Sequence, residues 1–454
     1  MKKSLAFLNN QRIQQALGFS IFDGVLWAIM FGFAENYVVP FALFFGATAF
    51  QVSLLQGSMQ FGVSMGQVLG STFSGRFPRK TMSMIGNALH SLSFIIIAFG
   101  TVWLKNPLVI LIAFPLGAFA TNFAGPGWIS WMNDTVPSDV RGRFWGLRNR
   151  FITFAQLFAM IIAGVLLFWG ENNQDLNCMY LLIFSIGAFS RLISLYPLYR
   201  QWEPEKNTQA ESTFSLGVFL KKLRHTNFGR FAIFNFLLTY SVNILLPAFS
   251  VYILHSMEFN YLQYTIIVMS SMVSTFIAMS YWGKLADKFG NYKILLVTAV
   301  ALPLIAFCWV FLKDFYLMIL LQLFSGFVWS GFNLSNGNFL FDSIKPQNVA
   351  KAAAYYNSMN NLFAFLGSLT GGFLALATPL FNIPFFAANN YELIFIVSGV
   401  LRVVVIIFLI KKFSEVREVQ PSPGLGYFYL FKPMDNMINR IQLLAKKKKR
   451  PKED

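Results

Sequence analysis

Charge is scarce in this chain. Asp, Glu, Lys and Arg make up 12% of its 454 residues while 56% are hydrophobic, and that balance cannot clothe a soluble surface. Histidine and cysteine are scarcer still. His90, His225 and His255, with Cys178 and Cys308 about 130 residues apart, have no metal-ligand spacing and no disulfide pattern. Both cysteines read as packing residues. The chain also lacks a GxxxxGK[ST] phosphate loop, an HExxH zinc helix and a GxSxG nucleophile elbow. These absences leave no catalytic constellation, imply no cofactor and no metal, and leave an ion or solute gradient as the energy source for any transport.

What fills the chain instead is apolar and aromatic, with 53 Phe spread along its whole length. Apolar windows of bilayer length fall at 16–44, 49–73, 81–104, 107–133, 144–170, 177–199, 228–254, 261–284, 292–312, 315–341, 351–379 and 391–411. Twelve spans put both termini on one side. The net charge of +17 then becomes a record of topology. Lys and Arg divide 32 to 2 between alternate loops, and the poor side holds only Lys105 and Lys313. By the positive-inside rule both termini are expected in the cytoplasm and the protein in the cytoplasmic (inner) membrane. The first 15 residues are polar and no small-residue cleavage site follows a short apolar core, so the first span is expected to serve as the insertion signal.

Features recur at offsets of 207 to 213 residues. Asn36 and Pro40 match Asn243 and Pro247, and Gln51 matches Gln263. Gly70 and Lys80 match Gly283 and Lys293. Asp134 with Pro137-Ser-Asp-Val140 matches Asp342 with Pro346-Gln-Asn-Val349, and Arg191 matches Arg402. Matches in one order at nearly one offset indicate a parallel duplication of six spans. The expected organisation is a six-helix bundle over 1–200, a polar linker over 201–227, a second bundle over 228–412 and a basic tail over 413–454. Lys446-Lys-Lys-Lys-Arg450-Pro-Lys452 at the tail's end suits an anionic leaflet rather than nucleic acid, and Met434 to Leu444 reads as a short interfacial helix.

The stretch Gly283-Lys-Leu-Ala-Asp287-Lys-Phe-Gly290-Asn-Tyr-Lys293 resembles the cytoplasmic signature loop of the major facilitator superfamily. Gly283 suits close helix approach, Gly290 a tight turn, and Asp287 a helix cap or a cation partner. The first-half copy has Ser74 in place of Asp287. Ser130 to Arg150 resembles the fourth-to-fifth connection of bacterial members, with Asp134 expected to pair with one of Arg141, Arg143, Arg148 and Arg150 at the membrane edge. The resemblance implies an all-α fold of twelve transmembrane helices in two pseudo-symmetric bundles, with Gly283, Asp287, Gly290, Lys293, Asp134, Arg141 and Arg143 in a conformational latch. It also implies that the first, fourth, seventh and tenth spans line a central cavity, while the third, sixth, ninth and twelfth support them. The ExxER-type peptide-symporter motif, the PESPR-like sugar-porter signature and the glycine-proline antiporter motif are absent, so no substrate class is singled out.

Ionisable groups inside lipid are costly and therefore functional candidates. They are Asp23, Glu35, His90, Arg191 and Arg402. Helix order favours Glu35, whose repeat counterpart is Val242. A carboxyl present in one half only, and exposed alternately to two sides, can carry a proton, ligate a cationic solute, or stay protonated as a hydrogen-bonding group. Asp23 lies 12 residues earlier, about 18 Å along a helix and about 120° around it. It is a second coupling candidate, with a structural pairing to Arg191 as the alternative. The uncharged candidates for the cavity wall are Asn36, Asn122, Trp128, Trp131, Gln156, Asn243, Asn333, Asn336, Asn357, Asn360 and Asn361. Gly125-Pro126-Gly127 is expected to break or bend the fourth span. The sequence therefore points to a monomeric secondary transporter of a small organic solute, amphiphilic ones included, with H⁺ as the coupling partner. Lipid-like or multidrug efflux, and a transport-inactive sensor of the same fold, are the other readings.

Overall fold

The computed structural model describes residues 11–73, 76–137, 140–205, 216–344, 348–377 and 391–419. The linker residues 206–215, the loop 378–390 and the tail beyond 419, with the expected Met434–Leu444 helix, lie outside them. So does Ser74.

Twelve long helices follow one another: α1 (Gln11–Phe44), α2 (Ala49–Phe73), α3 (Arg79–Leu104), α4 (Leu108–Thr135), α5 (Arg141–Asn172), α6 (Leu176–Arg200), α7 (Asn227–Ser256), α8 (Tyr261–Phe289), α9 (Asn291–Phe311), α10 (Phe315–Asp342), α11 (Val349–Ala377) and α12 (Tyr391–Lys412). Eleven of them are long and apolar enough to cross a bilayer. The other, α2, has the length but carries Gln51, Gln56, Gln60 and Gln67 with several serines and no formal charge. Lipid leaves a spanning backbone no other partners, so continuous helix is the form these runs must take. We call the end of the bundle carrying Arg79, Arg141 and Lys284 the basic side and the opposite end the far side.

Packing repeats with the duplication. In the first half α1 packs on α5 and α6, α2 and α3 on α4, and α3 on α6; in the second α7 packs on α11 and α12, α8 and α9 on α10, and α9 on α12. The bundles meet through α2 against α11 and α5 against α8, two contacts that the pseudo-twofold exchanges. Small residues bring the backbones together, as expected where lipid removes any hydrophobic drive between helices. A Cβ on Gly62 or Gly66 of α2 would lie 2.6 Å from the carbonyl oxygens of Pro115 or Phe119 on α4, and one on Gly70 would strike that of Phe123. A short linker helix, Leu216–Lys222, buries Phe219 against Phe228 and Tyr355, fixing it to the second bundle.

One helix interruption was not expected. The run Gly125-Pro126-Gly127, expected to break or bend its span, does not interrupt α4, which stays helical to Thr135. The break comes in α1, where Ala34 ends the α-helical ladder and Glu35–Tyr37 forms a 3₁₀ turn before helix resumes at Val38. Pro40 has no N–H to close a bond to the Asn36 carbonyl. Its counterpart Pro247 sits within α7 without any such turn.

Candidate functional site

The bundles seal against each other on the far side. Tyr37, fully buried, places its hydroxyl 2.8 Å from Thr265 Oγ1 of α8 and donates to the Met160 carbonyl at 2.9 Å. The Tyr261 N–H donates to Glu171 at 3.3 Å, and the Tyr180 and Tyr261 rings meet edge-on at 5.8 Å. Phe50 meets Phe373 and Phe61 meets Phe365 along α2 and α11, with Ser64 hydrogen bonded to Ser358 at the inner limit of this row.

Toward the basic side the inner faces separate. A Cβ built on Gly125 of α4 or Gly337 of α10 would meet nothing within 4 Å. Gly125 lies nine residues after Leu116, and Asn333 nine after Phe324, which turns each about 180° from an exposed apolar residue on the outer face. Asn333 and Asn357 are exposed on these inner faces, and Asn336 accepts from the Tyr356 hydroxyl at 2.8 Å. Asn360 accepts from Asn235 at 2.9 Å and from Thr239 at 2.7 Å. The second-half wall is thus amide, hydroxyl and aromatic. No acid or base lies among these groups.

The first half carries the charge. Glu35 opens the 3₁₀ turn of α1, two residues before the sealing Tyr37, and is half-buried. Among the described residues it forms no hydrogen bond and no ion pair, and Arg191 is the cation within electrostatic reach. Arg191 of α6, 5% exposed, faces Asp23 across 3.8 Å and donates to Asn87 of α3 and Thr121 of α4. Arg148 of α5 donates to the Ser20 carbonyl at 3.2 Å and lies over the rings of Trp128 at 4.9 Å and Trp145 at 5.5 Å. It also acts electrostatically on Asp23. Two acids and two arginines therefore share one bundle interior, with Arg191 between Asp23 and Glu35. Arg148 was hidden in the sequence because it reads as a loop cation. The visible signal is its spacing of four and eight residues before Ile152 and Gln156, on the α5 stripe that meets Gly24 and Gly32 of α1.

Several expected wall residues have other work. Trp131 is fully buried and its indole donates to the Trp202 carbonyl at 3.1 Å, so it does not line the space. Asn36 donates to the Phe31 carbonyl at 3.1 Å, patching the helix break. Asn122 and Asn243 donate to carbonyls four residues back, Ala118 and Thr239. Gln156 and Trp128 remain half-buried, Trp128 under the Arg148 guanidinium.

The expected latch residues are placed differently from the expectation. Asp134 pairs with Arg79 at 2.5 Å, not with Arg141 or Arg143; Arg141 donates to the Asn133 carbonyl and Arg143 is exposed. Arg79 is buried and also binds Glu203 at 3.0 Å. Gly283 makes no close helix approach, since a Cβ there would meet only Leu334 at 3.9 Å. Gly290, at φ +88°, does turn the chain where an L side chain is strained, and its empty Cβ position faces Glu415. Asp287, 81% exposed, faces Arg417 of its own half at 3.9 Å. Arg417 binds Asp342 at 2.7 Å, and that carboxylate holds the guanidinium above its ordinary pKa. Lys293 lies in the first turn of α9.

The profile of the Major Facilitator Superfamily matches residues 16–239 and again 231–433, one copy for each half. This chain belongs to the major facilitator superfamily. No curated protein matches it in sequence. In three dimensions it is similar to the nucleoside transporter NupG (15% identity, 89% of this chain and 100% of that one, TM-score 0.67) and to a D-xylose-proton symporter (15%, 90% and 100%, TM-score 0.68). It is also similar to an auto-inhibited POT family peptide transporter (11%, 90% and 99%, TM-score 0.69). At these identities the likeness is one of fold, and it holds over nearly the whole length of a multi-pass membrane protein built like a transporter of this superfamily.

Proposed function

We propose that this superfamily member is a secondary active transporter of a small organic solute, working by alternating access and coupled to protons through Glu35, in the cytoplasmic membrane with its basic side inward. The observation that carries the reading is the position of Glu35. It is a carboxyl with no bonded partner among the described residues, in a helix break, two residues from the Tyr37–Thr265 contact that closes the far side. A proton on Glu35 removes its pull on Arg191, whose other acid, Asp23, lies toward the basic side. Loss of the proton restores a second claim on the same guanidinium. Rocking of one bundle on the other would then alternate the side to which Glu35 is open.

The uncharged second-half wall fits a neutral solute rich in hydroxyl, amide or aromatic groups better than an ion, because nothing on it would compensate a charge. Nucleosides, pentoses and short peptides, the solutes named for the similar structures, form the first panel. In proteoliposomes, a panel member is expected to accumulate saturably when an inward pH gradient is imposed. Glu35→Gln should abolish gradient-driven accumulation and keep solute counterflow. Accumulation that survives Glu35→Gln would remove the coupling role.

A further inference from the structure

A crevice of about 560 Å³ lies on the outside of the first bundle, between α3 and α4. Its sides are Ile85, Leu89 and Leu92 of α3 and Leu116, Phe119 and Phe123 of α4, and Ser93 and Thr81 are its only hydroxyl-bearing lining residues. Ile85, Leu89, Leu92 and Leu116 are each 47–62% exposed, so it opens toward the hydrocarbon. From Thr81 to Ile96 it follows 15 residues of α3, about 22 Å, more than the roughly 15 Å of core belonging to one leaflet.

A cation stands at its basic-side end. The Arg76 guanidinium lies 5.2 Å from the centre of the Phe73 ring, and Phe73 in turn meets Phe123 of the crevice wall at 6.3 Å. Arg76 is exposed and has no carboxylate partner among the described residues, whereas Arg79 is committed to Asp134 and Glu203, and Lys80 to the Gln201 carbonyl. The small residues on the crevice floor are spent within the bundle: Gly86 is closed by Ala124 and Gly117 by Ser93. A second helix, about 10 Å across with its side chains, would find no flat glycine stripe to dock on. The geometry points to a binding site for one anionic phospholipid, an acyl chain lying in the α3–α4 crevice and its phosphate held by Arg76.

The test uses the full chain, purified in detergent, with dioleoyl phosphatidylglycerol and dioleoyl phosphatidylcholine as probes and native mass spectrometry and thermal unfolding as readouts. The wild-type chain should retain one phosphatidylglycerol in about fivefold preference to phosphatidylcholine, the worth of one cation near an anionic headgroup, and should unfold at a higher temperature with it. Arg76→Gln should erase the preference while both lipids still bind. Leu89→Trp, at an exposed position that tolerates bulk, should fill the crevice and lose both lipids, with its lipid-free unfolding temperature unchanged. Equal retention of the two lipids by the wild type, or lipid retention untouched by Leu89→Trp, would overturn the site. A dimer that Leu89→Trp dissociates would overturn it too, assigning the crevice to a second copy of this chain.

Discussion

The two acids of α1 should respond unequally to neutralisation, and the contrast can be worked out from their surroundings. Asp23 and Arg191 are each 5% exposed and 3.8 Å apart. At an effective dielectric near 20 that pair is worth about 4 kcal/mol, and removal of one member of a buried pair typically costs about 3–5 kcal/mol because the other charge is stranded. Asp23→Asn should therefore lower the unfolding temperature of the purified protein by about 6–10 °C, if the first bundle unfolds as a unit at about 2 °C per kcal/mol. The double variant Asp23→Asn/Arg191→Gln strands neither member of this pair, although Glu35 loses Arg191 and Arg148 loses Asp23. It should regain at least about 2 kcal/mol relative to the sum of the two single variants. Glu35, half-buried and without a bonded partner, has little to lose, so Glu35→Gln should stay within about 1 kcal/mol of the wild type. Thermal unfolding followed by circular dichroism gives all four values. The reasoning fails if Glu35→Gln costs as much as Asp23→Asn, or if the two single losses simply add.

Three other outcomes follow from the same geometry. Arg79→Gln strands Asp134 and Glu203 beside a buried helix start and should cost about 2–4 kcal/mol in thermal unfolding, whereas Arg417→Gln, at a side chain 40% exposed, should cost under about 1 kcal/mol. Equal losses would contradict the burial argument. Gly70→Ala puts a methyl against the Phe123 carbonyl and should destabilise by about 1–3 kcal/mol through forced separation of α2 and α4, while Gly125→Ala, facing open space, should cost under about 1 kcal/mol; the ranking is read from the same melts. Tyr37→Phe removes the hydroxyl shared by Thr265 and Met160, and at about 1.4 kcal/mol would shift the closed far side roughly tenfold toward opening. Spin-label distances between α2 and α11 on the far side should lengthen in that variant, and unchanged distances would show that the seal lies elsewhere.

Much of the scaffold was legible because lipid narrows the choices. Backbone that cannot bond to solvent must be helix, so apolar runs of sufficient length became the observed helices, and even α2 was found by length despite its glutamines. Helix ends were less legible. Arg141 and Arg143 open α5 before the expected start at 144, and Leu285 to Phe289 extend α8, because a helix continues into water wherever its neighbours support it. A pairing of Asp23 with Arg191 was one of two readings the sequence left open, and the structure brings the two groups to 3.8 Å. The fate of the amides was not legible. Whether an asparagine reaches into a cavity or back to a carbonyl four residues earlier is decided by its rotamer and by the adjacent wall, and Asn122 and Asn333 look alike in sequence. Asp134 misled for a related reason: Arg141 and Arg143 are close along the chain, but Arg79, 55 residues away, is the cation its position at the end of α4 presents.

That ion pair also shows what the duplication preserved. Arg79 starts α3, binds Asp134 at the end of α4, and binds Glu203 in the segment after α6. At the matching places in the second half, the Tyr292 N–H donates to Glu415 at 2.8 Å and Asn291 donates to Asp342 at 2.9 Å. There the cation has moved to the third place: Arg417, after α12, bridges Asp342 and Asp287. Both halves tie the same three chain segments at the basic side, but one does it with a buried arginine at a helix start and the other with backbone, amide and a half-exposed arginine from the returning chain. A repeat sought as identical residues at one offset finds Asp134 and Asp342 and misses this exchange, because what recurs is the need to hold three helix ends together. The buried arginine makes the first-half tie the stiffer of the two. Rocking at the basic side should therefore leave the α3–α4–α6 corner intact, and the second-half corner, held by the exposed Arg417, is the one that can open and re-form.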